Sequence, residues 1–221
     1  NIYLLNISNN ETVVMGGAMK KKIIISLLLI IPFISILLVI IFRANFLPNN
    51  QEIIRELKSI KCYETKVKYI VKNAKGEERE DTNQYYSSDY GFRIEFGDEK
   101  VKIYKNDNIY VKDSLDDSEY VLDEGMDMLH SLAFMNKILS YPLKSNSIKE
   151  GQEEWGDEIY IQVDTELFLE NEHFDTARIF INKKTKTPIG IIVYDKEGND
   201  SLRIIYYDFK KVKGFDESIF N

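Results

Sequence analysis

The alternation of apolar and polar positions changes period three times along this chain. Positions 23 to 42, IIISLLLIIPFISILLVIIF, have no polar phase and no charge. At about 1.5 Å rise per residue such a run reaches about 30 Å, the hydrocarbon thickness of a bilayer, so it predicts a transmembrane helix. Its ends are Ile23 and Phe42, and Pro32 predicts a kink that membrane helices tolerate. In Gln51 to Ile60 the apolar residues Ile53, Ile54, Leu57 and Ile60 recur every three or four positions, which predicts a helix with one apolar face. From Tyr63 the period falls to two. Tyr63, Thr65, Val67, Tyr69 and Val71 share one face, and Glu64, Lys66, Lys68 and Ile70 take the other, as in a half-buried strand.

Asn73 to Gly76 predicts a turn into a more polar strand ending near Tyr85 and Tyr86. Short strands follow over Arg93 to Phe96, Val101 to Tyr104, Ile109 to Val111 and Glu119 to Leu122, separated by Asn-, Asp-, Gly- and Ser-rich turns. One long helix over Gly125 to Ser140 is expected to interrupt them, apolar on more than half its circumference and stopped by Tyr141 and Pro142. After a polar loop, Glu158 to Phe168, Asp175 to Asn182, Ile189 to Tyr194 and Leu202 to Phe209 read as further strands. The expected class is α+β and β-rich: an N-terminal transmembrane helix, then a half-closed antiparallel β-barrel of about ten or eleven strands wrapping a central apolar helix.

Lys20, Lys21 and Lys22 stand between Met19 and the apolar run, the order of a signal's positive region and hydrophobic region, so Met19 is the expected start. Residues 1–18 are then an untranslated or disordered extension, 19–43 a signal anchor, 44–50 a stalk and 51–221 the folded domain. The lysines favour a cytoplasmic N-terminus and an extracytoplasmic domain. The one cysteine, Cys62, lies too far from the apolar run to be a lipidation site, and no small-residue cleavage motif occurs in RANFLPNN.

Residues 44–221 hold 25 Lys and Arg against 35 Asp and Glu, a charge of −10. That balance disfavours nucleic acid and anionic surfaces and suits a basic protein partner. A single cysteine excludes an intrachain disulfide. Fourteen Tyr and twelve Phe agree with extensive sheet.

Candidate chemistry is sparse. His130 has Phe134 at i+4, so it lacks the helical pair of a metal site, and a solvent-facing or core-edge histidine is expected. Cys62 is expected to be a buried structural thiol. Asp116, Asp117, Asp123 and Glu124 fit no EF-hand spacing and are read as solvated turn charge. Glu153, Glu154 and Asp157 around Trp155 are too close in sequence to be placed across a glycoside. No phosphate loop or nucleophile elbow occurs. No catalytic residue, cofactor or metal is therefore assigned. Flexible methionines suit adaptable apolar surfaces, so Met126, Leu129, Leu132 and Met135 are the candidate lining of a lipid or peptide cavity. Open sheet edges would allow a homodimer by strand exchange.

The starting helix, the paired strands, RIEFGDEKVKIYKNDNIYVKD, the midchain helix and the closing TPIGIIVYDKEGNDSLRIIYYDFK together resemble the LolA/LolB-type outer-membrane lipoprotein carrier fold over roughly residues 50 to 221. Within that superfamily the chain is similar to the clostridial germination lipoproteins of the GerS type, departing from them in its missing lipidation cysteine. The resemblance implies a noncatalytic protein facing the forespore intermembrane space that binds and activates a cortex-modifying N-acetylmuramoyl-L-alanine amidase of the CwlD type. The alternative it implies is a carrier or sensor of lipid or lipoprotein.

Overall fold

The structure, a computed structural model, describes residues 30–39, 49–151, 159–169 and 171–221. The chain divides into two compact units, Asn1–Pro48 and Asn49–Asn221. In the first, residues 30–39 are helical. Ten residues rise about 15 Å, half of a hydrocarbon core. No helix among the described residues is long and apolar enough to cross a membrane. The expected transmembrane helix is corrected accordingly, and its ends, Ile23 and Phe42, lie outside the described residues.

The second unit opens with α1, Asn50–Lys58. Asn49 caps it, accepting from the Gln51 amide, while the Glu52 side chain accepts from the Asn49 amide in a capping box. Its buried residues, Ile53, Ile54 and Leu57, are those of the expected apolar face.

Eleven strands among the described residues then form one antiparallel sheet. The first group is β1 (Cys62–Asn73), β2 (Gly76–Ser87), β3 (Gly91–Phe96), β4 (Lys100–Lys105), β5 (Asn108–Asp113) and β6 (Ser118–Asp123). The second is β7 (Leu143–Gly151), β8 (Tyr160–Glu166), β9 (Thr176–Asn182), β10 (Thr187–Tyr194) and β11 (Asp200–Lys211). Their order is β6-β5-β4-β3-β2-β1-β11-β10-β9-β8-β7, so each group is a meander and β1 against β11 is the seam. Tyr63, Val67 and Tyr69 of β1, Ile204 of β11, Ile191 of β10 and Ile179 of β9 share one buried cluster with α1. That face is the inner one.

Two expectations give way here. The class is mostly β with short helices, not α+β, and the sheet is not a half-closed barrel: β6 and β7 sit at opposite ends of the strand order and do not pair. The expected central helix is also absent as one element. Glu124–Met126 is a 3-10 turn, α2 is Met128–Ser131, α3 is Met135–Ile138, and the chain between the helices is not helical. The reason lies in burial. Ser131, Leu132, Ala133, Phe134 and Met135 are all buried in succession. A straight helix with one protected stripe cannot hide five consecutive side chains, whereas a broken segment lays them against the sheet. Phe134 enters a cluster with Ile94, Tyr104, Ile109 and Val111 of β3 to β5, while Leu132, Ala133 and Met135 join the main cluster. This crossing segment leads from one sheet edge, β6, to the other, β7.

Strand β7 replaces part of the expected polar loop. It pairs with β8 alone, at the sheet edge, and its register shifts between Leu143 and Ile148. On the outer face, the C-terminal 3-10 turn Glu217–Phe220 lies on β3, where Arg93 donates to the Ile219 carbonyl at 2.7 Å.

Candidate functional site

Breaking a helix exposes amide and carbonyl groups that its hydrogen bonds would have used. In the crossing segment, tyrosines from the sheet take over. Tyr206 of β11 donates to the Ala133 carbonyl at 2.6 Å, Tyr69 of β1 donates to the His130 carbonyl at 3.1 Å, and the Met135 amide donates to the Tyr63 hydroxyl at 3.3 Å. Asn136 donates to the Tyr86 hydroxyl at 3.0 Å. Burial pushes the Tyr63, Tyr69 and Tyr206 phenols up, so these hydroxyls stay protonated, as the bonds donated by Tyr69 and Tyr206 require.

Beside this row lies a cluster of ionisable groups, largely buried, with Glu80 exposed at its rim. Asp127 precedes α2 and caps it, accepting from the His130 amide at 3.2 Å. The same carboxylate faces the His130 ring at 2.7 Å from Nδ1, the Lys102 ammonium at 2.6 Å and the Tyr104 hydroxyl at 2.7 Å. The other ring nitrogen, Nε2, lies 2.8 Å from Glu80 of β2. Tyr69 and Phe96 stand edge-on to the imidazole, each at 5.0 Å between ring centres.

The electrostatics follow from these contacts. Burial raises the Asp127 carboxyl, but the His130 and Lys102 hydrogen bonds and charges outweigh it and hold the group well below the usual carboxylate range. For His130, burial acts to lower the pKa, while bonds to Asp127 and Glu80 raise it, and the net shift is upward. Desolvation by burial and the Asp127 carboxylate push the Tyr104 phenol up. The His130 ring thus lies between two carboxylates, both of which favour its charged form. Both ring nitrogens are engaged, and the Asp127 oxygens receive an amide, a ring N–H, an ammonium and a hydroxyl. An imidazole so engaged offers no free lone pair for general-base work, and the arrangement instead fastens the crossing segment to β2 and β4.

The residues singled out in the sequence fall in different surroundings. Leu132 and Met135 are core residues, Leu129 is partly buried against the same cluster, and Met126 is 72% exposed. The four therefore do not share one environment. His130 is at the core edge, and Cys62 is buried with its Sγ 3.8 Å from the Ser87 hydroxyl. Among the described residues no group of carboxylates, histidines and cysteine could hold a metal ion. Glu153, Glu154, Trp155 and Asp157 lie outside the described residues. Sequence reading missed Asp127, Lys102, Tyr104 and Glu80 as a unit. The one available signal was Asp127 three residues before His130, since an N-cap can reach a side chain one turn on.

Several solved structures resemble the chain. An uncharacterised conserved protein from Thermus thermophilus is 11% identical, with 77% of this chain and 92% of that chain covered at a TM-score of 0.52, which shows a shared fold. A LolA superfamily protein from Nitrosomonas europaea is 11% identical, covering 79% and 98% at a TM-score of 0.40. The CwlD amidase from Clostridioides difficile in complex with the GerS lipoprotein gives 18% identity, covering 76% and 96% at a TM-score of 0.37. No curated protein matches the chain. A family model described as sporulation protein YdcC-like matches residues 20–220, nearly the whole sequence. The chain belongs to the YdcC-like sporulation protein family.

Proposed function

We propose that this chain is a noncatalytic accessory protein of sporulation, placed outside the cytoplasm, which works by holding a partner protein. The observation that carries this reading is the family match across residues 20–220. Two features support it. The cluster around Asp127 and His130 is committed to internal bonds, and the acidic domain suits a basic protein surface. The partner in this reading is a cortex-modifying amidase, an identity that rests on the sequence resemblance to GerS-type lipoproteins.

Co-expression of the full chain with the amidase of the same organism tests it. The expected result is a complex that survives gel filtration and an amidase that cleaves peptidoglycan faster with the chain than without it. Separate elution with unchanged amidase activity would overturn the reading.

A further inference from the structure

Strand β6 closes one end of the sheet, and its own hydrogen-bonding pattern tells which of its backbone groups are spare. The Glu124 amide donates to the Asp107 carbonyl at 3.0 Å, in line with the register that pairs Leu122 with Ile109 and Tyr120 with Val111. Antiparallel pairs alternate between bonded and non-bonded positions. Ser118, Tyr120 and Leu122 are therefore bonded to β5, and the N–H and C=O groups of Glu119, Val121 and Asp123 point away from the sheet.

The side chains along this edge have a defined order. Glu119, Val121 and Asp123 lie on the outer face, where Val121 continues the cross-strand row Arg93, Ile103, Tyr110. Tyr120 and Leu122 lie on the inner face. Val121 is 55% and Tyr120 42% exposed, and Tyr110 is exposed beside them. The edge therefore reads acid, three apolar residues, acid. Asp116 and Asp117 in the exposed β5–β6 turn add to its negative charge. Glu119 meets Lys112 only at 3.7 Å between exposed groups, and no cation pairs with Asp116, Asp117 or Asp123 among the described residues.

We propose that β6 is a docking edge for an extended segment of a partner protein that carries a basic residue, three apolar residues and a second basic residue, bound antiparallel as a further strand. Backbone bonds to Glu119, Val121 and Asp123 hold such a segment, its central side chain extends the Tyr110–Val121 row, and its two cations meet Glu119 and Asp123. A second copy of this chain is the wrong occupant. Two β6 strands paired antiparallel about Val121 would set Glu119 against Asp123 twice, a repulsion that guards an edge against self-pairing. The inference rests on the docking reading above and adds the surface and the chemistry of the partner.

The test uses the full chain and fluorescein-labelled peptides with the cores Lys-Val-Tyr-Val-Lys and Glu-Val-Tyr-Val-Glu, read by anisotropy at low salt. Two variants accompany it. Val121→Pro removes an outward-facing donor at a position where an edge strand tolerates proline, and the double variant Glu119→Lys with Asp123→Lys reverses exposed charge. The lysine peptide is expected to bind, about tenfold more weakly to Val121→Pro. The double variant is expected to prefer the glutamate peptide. Equal binding of both peptides by the native chain, or binding unchanged in both variants, would overturn the proposal. An amidase complex that forms equally well with Val121→Pro, while that variant has lost the peptide, leaves the amidase reading intact and overturns β6 as the amidase's seat.

Discussion

Asp127 and His130 stand three residues apart and meet twice: the carboxylate caps the backbone amide at 3.2 Å and faces the ring nitrogen at 2.7 Å. One side chain thus starts α2, orients its histidine and gathers Lys102 and Tyr104 from β4. Almost all of this takes place out of solvent, with the Asp127 side chain only 9% exposed.

Removing that carboxylate takes the buried acceptor from Lys102 and leaves the His130 ring with Glu80 alone. Asp127→Ala is expected to cost about 3–5 kcal/mol, the range for breaking a buried ion pair from one side. Lys102→Met on the Asp127→Ala background should cost less than it does alone, with a coupling energy of about 0.5–3 kcal/mol in a double-mutant cycle. Urea denaturation of the four proteins measures both quantities.

The same pair makes stability depend on pH in a stated direction. His130 has a folded pKa above its unfolded value of about 6.5, so its contribution is complete below that pH and disappears as pH rises through the folded value. Asp127 has a folded pKa below its unfolded value of about 3.9. Its contribution is present above that value and is lost as pH falls towards the lowered one. Urea midpoints should therefore decline from mildly acidic to alkaline pH, and His130→Gln should flatten that decline.

The tyrosine row predicts a difference between neighbours in sequence. Tyr206→Phe leaves the buried Ala133 carbonyl without its donor and is expected to cost about 1–3 kcal/mol. Tyr207, 44% exposed on the other face, should tolerate the same change within about 0.5 kcal/mol. Thermal unfolding of the two variants in parallel separates a hydrogen-bonding role from a general aromatic one.

Gly91 begins β3 at a φ of +96°, and a Cβ there would run into the Tyr104 carbonyl oxygen. Gly97, at φ +58°, has open space around it. Gly91→Ala should therefore destabilise clearly more than Gly97→Ala, whose cost is the left-handed conformation alone, about 1–2 kcal/mol. Urea midpoints of the two variants provide the comparison.

Periodicity made much of this protein legible in one dimension. Ile53, Ile54 and Leu57 announce the buried stripe of α1, and Tyr63, Val67 and Tyr69 announce the inner face of β1, because burial of those side chains depends on a repeat that the next few residues already display. Turn residues between β3, β4, β5 and β6 likewise act locally. Strand β7 escaped because LKSNSIKEG has almost no apolar alternation, and what makes it a strand is the edge of β8 beside it. The crossing segment was misread for the opposite reason. It is apolar on more than half its circumference, which suits a helix only where protein covers that helix on two sides, and here the sheet offers one broad face with tyrosine hydroxyls that can replace helical bonds. Beyond the three-residue spacing of Asp127 and His130, the meeting of these two with Lys102, Tyr104 and Glu80, drawn from β4 and β2, has no spacing that a sequence could display. Local repeats determine which residues face inward, and only the pairing of distant strands decides which of those residues become neighbours.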